Sequence, residues 1–237
     1  GLMNYVQLAS TIRSYAENDF PATTGIGDLT SDEQINTFIQ QAELRIYNTV
    51  QFPSLRKNVT GMTTPSNKYL SAPSDFLAVY SIAVVDPTTS EYVYLLNKDV
   101  NFIREAYPST SAADYGLPRY YALFGPTTTN DLPPVITDEL SFIMAPTPAL
   151  AYNVELHYYY YPESITTAGT SWLGDNFDTV LLYGSLLEAY TFMKGETDIL
   201  TNYAQRYTEA LAQAKRLGDG MERGDAYRDG QYRQKVV

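Results

Sequence analysis

The side chains that carry out most chemistry at neutral pH are almost absent from this sequence. Its 237 residues include one histidine, His157, and no cysteine. His157 is the sole imidazole that could serve a serine nucleophile as general base. It sits inside a tyrosine-rich run, and no Gly-x-Ser-x-Gly elbow accompanies it. A hydrogen-bonded structural histidine is the expected role. The lack of cysteine excludes disulfides, thiolate catalysis and cysteine-based metal sites. Gly25-Ile26-Gly27 precedes a helix as a dinucleotide loop would, but Thr30 stands at the third glycine position and no strand comes before it, so a plain loop is expected. Asp175-Asn176-Phe177-Asp178 has the acidity of a calcium loop. Phe177 occupies a ligand position and the required glycine is missing, so a helix N-cap is expected there. Arg223-Gly224-Asp225 has the form of an adhesion tripeptide and Asn58-Val59-Thr60 that of a glycosylation acceptor; neither carries a function by itself. The 27 acidic residues offer many carboxylate pairs, and their spacing selects no acid and base. No catalytic, cofactor or metal site is expected.

The elements that would position these residues follow from periodicity. Residues 4–17 carry Tyr5, Leu8, Ile12 and Tyr15 at helical spacing. A second helix starts at Thr30 or Ser31, with Glu33 or Gln34 completing a capping box. Its apolar face is Ile35, Phe38, Ile39, Ala42 and Ile46, and it must stop before Pro53. From about 58 to 165 the pattern predicts short strands at Val79–Val85, Tyr92–Leu96, Tyr120–Phe124, Leu140–Ala145 and Tyr152–Tyr161, with a short helix near Asp99–Ala106. In the last strand Tyr152, Val154, Leu156, Tyr158 and Tyr160 face one way, and Asn153, Glu155, His157, Tyr159 and Tyr161 the other. Trp172 and Leu173 would cover the start of a buried helix bearing Phe177, Val180, Leu181, Gly184, Leu187 and Met193 and ended by Gly195. A final helix over about 197–217 is expected to stop at Gly218.

The expected fold class is therefore α+β. Residues 1–57 and 171–217 supply the N- and C-terminal helices of one bundle, residues 58–170 a central antiparallel β insertion, and residues 218–237 an extended tail. That tail holds Arg223, Arg228, Arg233 and Lys235 against four acids and almost no apolar side chains, so it cannot fold alone.

Composition points away from turnover and towards assembly. There are 22 tyrosines, and charged residues make up only 18% of the chain. Tyrosine brings a large rigid contact surface with a polar tip, which suits interfaces. A net charge of −11 leaves no basic stripe for gripping DNA, whereas carboxylate-lined walls repel phosphate and let DNA slide. Arg13, Glu17 and Asp19 interrupt any secretory signal, and the longest apolar run, Phe76–Val85, is far short of the roughly 20 residues a membrane span needs.

Several segments, in order, resemble one family. These are Ala42-Glu43-Leu44-Arg45-Ile46-Tyr47 with Phe52-Pro53-Ser54-Leu55-Arg56, then Tyr69-Leu70-Ser71-Ala72-Pro73-Ser74-Asp75-Phe76-Leu77. Gly116-Leu117-Pro118-Arg119-Tyr120-Tyr121-Ala122 follows, closed by Gly125. Last come Trp172-Leu173, Leu181-Leu182-Tyr183-Gly184-Ser185-Leu186-Leu187-Glu188-Ala189 and Lys194. Together, over about residues 30–217, the chain resembles the head-to-tail adaptors of short-tailed bacteriophages, the neck-ring or tail tubular A-type proteins. The resemblance implies a structural virion protein, assembled in the host cytoplasm, and no enzyme. It implies a ring, typically dodecameric, that binds the portal protein on one side and tail nozzle or tail fibre proteins on the other. The genome passes through without sequence-specific binding, and no membrane is involved. The C-terminal segment of such adaptors commonly reaches the portal, which here points to Arg223, Tyr227, Arg228, Tyr232 and Arg233 as contacts. An alternative is a carbohydrate- or receptor-binding module of a tail, built on the tyrosine-rich strand at 152–161. A hydrolase using a carboxylate pair is a third reading, for which the sequence nominates no acid.

Overall fold

The computed structural model describes residues 2–24, 27–125, 127–128, 136–137 and 140–231, with side chains described outside 127–128, 136–137 and 220–231. In chain order the elements are α1 (Tyr5–Ala16), α2 (Ser31–Thr49), β1 (Arg56–Met62), β2 (Tyr69–Ser71), β3 (Phe76–Val85), β4 (Tyr92–Tyr94), β5 (Leu96–Asn97), α3 (Val100–Ala106), β6 (Tyr120–Phe124), β7 (Thr127–Thr128), β8 (Ile136–Thr137), β9 (Ser141–Ala145), β10 (Asn153–Tyr160), α4 (Ile165–Ala168), α5 (Trp172–Asn176), α6 (Asp178–Met193) and α7 (Thr197–Gln231). The class is α+β. Two compact units share the chain: Gly1–Leu55 with Tyr161–Val237, and Arg56–Tyr160.

In the first unit α1, α2 and α7 each pack on α6. Side chains at the N-cap start the first two helices. Asn4 and Gln7 form a capping box on α1, and Thr30 and Glu33 form the expected one on α2. The helix α2 buries Ile35, Phe38, Ile39, Ala42 and Ile46, as its periodicity requires. The buried face of α1 is Leu8, Ala9, Ile12 and Ala16; Tyr15 stays exposed. Burial on several sides marks α6 as the central helix: Val180, Leu181, Leu182, Gly184, Leu186, Ala189 and Tyr190 are all covered. It ends at Met193, with Lys194 rather than Gly195 in the left-handed conformation (φ 54°). Phe52 and Phe177 stack with centroids 5.7 Å apart, and Trp172 meets both at a steep angle (4.9 and 5.5 Å), beside fully buried Leu173.

The last helix corrects the expectation of a stop at Gly218 followed by an extended tail. Helix α7 runs unbroken to Gln231. A glycine ends a helix only when it takes up the left-handed backbone; in a helix interior it costs about 1 kcal/mol relative to alanine. Gly218 is buried in α7, where a Cβ would stand 3.4 Å from the Phe52 ring, so its small size serves close packing.

The second unit is a two-sheet sandwich. One sheet, in the order β1-β10-β3-β4, is antiparallel throughout. The other, β2-β9-β6-β5, is mixed, because β5 runs parallel to β6 (Leu96↔Tyr120). The all-antiparallel expectation fails there for a geometric reason. A parallel pair needs a long crossover, and residues 98–119, which include α3, supply it. The predicted single strand Tyr92–Leu96 is also two strands, which change sheet around buried Leu95. Between the sheets lie Phe76, Ile82, Val84, Leu95, Tyr121, Phe142, Met144, Tyr152, Val154, Leu156 and Tyr158. Ile103 of α3 covers Ala122, Ile143 and Ala145 on the opposite face of the mixed sheet.

Candidate functional site

The sandwich places His157 on the outer face of the antiparallel sheet, with Nε2 3.7 Å from Glu155 Oε1. Asn58 Nδ2 donates to the same oxygen at 2.7 Å. Hydrogen bonds from Tyr92 and Asn58 hold the Glu155 carboxyl below its usual range. A carboxylate kept ionised in this way is poorly suited to act as a general acid. Among the described residues, no group of three or more histidine or acidic side chains could hold a metal. Asp175 and Asn176 prove not to cap the buried helix. They lie inside α5, whose cap is Ser171 (Gly174 N–H to Oγ, 3.0 Å), and α6 begins without a side-chain cap. Arg223-Gly224-Asp225 lies within helical α7 and Asn58-Val59-Thr60 on β1, while Gly25 and Ile26 lie outside the described residues.

The tyrosine run divides between interior and surface. Tyr158 is buried and its hydroxyl donates to Asp75 Oδ1 at 2.8 Å, while Lys57 Nζ donates to Asp75 Oδ2 at 2.9 Å. Burial pushes the Asp75 carboxyl up, but these two bonds outweigh it and leave the group below its ordinary value. Burial and the carboxylate push the Tyr158 phenol up to about 12. On the outer face Tyr80, Tyr92 and Tyr94 are 54%, 56% and 64% exposed. The Arg56 guanidinium stacks 4.3 Å from the Tyr80 ring centre and 6.0 Å from that of Tyr159. Tyrosine and arginine gathered on an exposed face are the residue types that anchor protein interfaces.

Of the five C-terminal contact candidates, Arg223, Tyr227 and Arg228 are on α7, with Arg223 and Tyr227 one helical turn apart. Tyr232 and Arg233 lie outside the described residues.

Sequence reading missed a groove in the sandwich unit. A cavity of about 390 Å³ opens beside α3, with Val100, Ile103, Ile143 and Met144 among its lining and Lys68, Tyr69, Arg104, Tyr107 and Tyr115 around it. Its lining comes from three separate segments, 68–69, 100–115 and 143–147, so no local motif announces it. The available signal was the concentration of tyrosines and cations in the connections flanking α3.

The residues that carry the family resemblance are mostly structural. Asp75 receives the two bonds above, Leu70 and Leu117 pack on the sandwich core, and the Arg119 N–H binds the Ala145 carbonyl at 2.9 Å. At Gly184 a Cβ would meet the Tyr207 ring at 3.2 Å and Ala42 Cβ at 3.3 Å, so the glycine sets how closely α2 and α7 approach α6. No curated protein sequence matches the chain. A family model described as SU10 adaptor protein matches residues 3–234, nearly the whole length. By this match the chain is a member of the SU10 adaptor protein family, structural adaptors of phage.

Proposed function

We propose that this adaptor joins head to tail. In this reading it forms a dodecameric ring beneath the portal protein, receives tail nozzle or tail fibre proteins on its other side, and lets the genome pass through the centre. The observation that carries the proposal is the family match over residues 3–234. The helices of residues 1–57 and 171–217 would form the ring wall. The segment after Gly218 would reach the portal through Arg223, Tyr227, Arg228, Tyr232 and Arg233. The helical turns of α7 beyond Gly218, at about 1.5 Å per residue as far as Gln231, give that segment a reach of about 20 Å. A net charge of −11 supports a conduit that does not hold DNA.

Docking of the last turns of α7 would add Arg–carboxylate pairs and tyrosine burial against a cost in side-chain entropy, and the absence of those contacts in the free chain favours a monomer that assembles only on the portal. Particle-mass measurements on the chain alone and mixed with its portal test this. The expected result is a monomer alone and a closed ring on the portal; a stable ring of the isolated chain contradicts portal-dependent assembly. The exposed Tyr80, Tyr92 and Tyr94 favour a second reading, a glycan- or receptor-binding face, which predicts glycan binding by the isolated monomer.

A further inference from the structure

The groove beside α3 combines three properties. Its floor is apolar, made by Val100, Ile103, Ile143 and Ala145. Its aromatic walls are partly open to solvent: Tyr69 is 39% and Tyr107 36% exposed. Two cations, Lys68 and Arg104, belong both to the 390 Å³ cavity and to a shallower extension past Ser66, Asn67 and Thr110.

Cations such as Arg13, Arg45 and Lys57 are paired, with Asp32, Glu188 and Asp75, whereas neither Lys68 nor Arg104 forms an ion pair among the described residues. Lys68 Nζ lies 5.4 Å from the Tyr69 ring centre. The acid on the cavity wall, Asp114, accepts from the Ser109 hydroxyl at 2.5 Å. With Lys68 and Arg104 against Asp114, the charged groups lining the groove sum to +1 on a chain whose net charge is −11.

Charge complementarity selects an anionic ligand for that spot, and the apolar floor selects one that also buries a hydrophobic side chain. A long polyanion such as nucleic acid would meet repulsion from the acidic body, which a short segment avoids. The continuation of the cavity into a shallow channel suits an extended chain more than a compact ion. We propose that this groove is a docking site for an extended acidic peptide segment of a partner protein, with an apolar or aromatic side chain in the cavity and flanking carboxylates on Lys68 and Arg104. The proposal does not depend on the ring or on the portal.

Fluorescence anisotropy with the full chain tests it. The probes are a fluorescein-labelled Gly-Asp-Glu-Phe-Asp-Glu-Gly peptide, its Asn/Gln analogue, and a short oligothymidylate as competitor. The acidic peptide should bind, and the amide analogue should bind about tenfold more weakly, as expected for losing charge-assisted bonds. Arg104→Glu and Lys68→Glu should each weaken binding by a similar factor with the circular dichroism spectrum unchanged. Lys215→Glu on α7, an equal charge change elsewhere, should leave it alone. Equal binding of the amide analogue, an equal effect of Lys215→Glu, displacement by oligothymidylate, or no binding up to about 1 mM, where affinity is only about −4 kcal/mol, would each overturn the proposal.

Discussion

In the helical unit glycines set how closely the helices approach, whereas in the sandwich interlocked aromatic rings set the spacing of the sheets. Among the helices, Gly174, Gly184 and Gly218 stand where backbone or rings of neighbours come within 2.6–3.4 Å of a would-be Cβ. Between the sheets, Phe76, Phe142, Tyr121 and Tyr158 interlock edge to face and offset, with centroids 5.6–6.0 Å apart. Their internal carboxylates differ in the same spirit. Glu43, 3% exposed on α2, accepts from the Ser164 hydroxyl at 2.6 Å and the Ile165 N–H at 3.1 Å; burial still pushes its carboxyl up. Asp75 in the sandwich keeps access to water and a lysine, and is pushed down. Close helix packing leaves no room to solvate a charge, whereas a sheet edge does, so the same chemical group responds to pH with opposite sign in the two units.

Substitutions can break this comparison in order of size. Phe142→Ala should empty the middle of the sandwich and cost about 3–5 kcal/mol, read as a drop in the denaturant midpoint. Gly174→Ala adds one methyl, but 2.6 Å from the Met3 carbonyl oxygen, and should cost about 1–3 kcal/mol by the same measurement. If that alanine is tolerated, the helical unit is looser than its contacts imply.

The carboxylates sharpen the contrast further. The folded state binds the Glu43 proton more tightly than the unfolded chain does, so stability from this group falls as pH rises from its ordinary 4.5 through the raised value. The folded state releases the Asp75 proton more readily, so its contribution is present above the ordinary 3.8 and is lost as pH falls through the lowered value. Melting temperatures relative to the wild type, taken at pH 2.5, 4 and 7, should therefore move oppositely. Glu43→Gln should gain on the wild type on going up from pH 4 to pH 7, and Asp75→Asn should gain on going down from pH 4 to pH 2.5. A shared direction would refute the assignment.

The smallest effect concerns Tyr207 on α7, whose buried hydroxyl has no hydrogen-bond partner among the described residues. Tyr207→Phe should be neutral or stabilise by up to about 1 kcal/mol in thermal melts, since an unmet buried hydroxyl carries a desolvation cost.

What the sequence disclosed depended on how local the cause was. The Thr30/Glu33 capping box and the alternation from Tyr152 to Tyr160 are local, and both appear as read. Strand β1 was missed because Arg56-Lys57-Asn58 has no apolar alternation; it is an edge strand, paired on one side by β10 and exposed along nearly its whole length. The sheet change at Leu95 depends on its N–H donating to the Ile82 carbonyl and that of Leu96 to the Arg119 carbonyl, partners distant in sequence. Gly218 misled because a glycine that ends a helix and one that lets a helix approach Phe52 look alike in one dimension. The groove was invisible for the same reason: Lys68, Arg104 and Pro146 meet only in the folded sandwich.

The central claim is that this adaptor engages the portal through its C-terminal segment. Co-sedimentation of the full chain, and of a chain shortened after Gly218, with the portal ring tests it most directly. The account predicts one adaptor per portal subunit for the full chain and none for the shortened one. Equal binding of both would contradict the role given to Arg223, Tyr227, Arg228, Tyr232 and Arg233, and binding of neither would contradict the head-to-tail assignment itself.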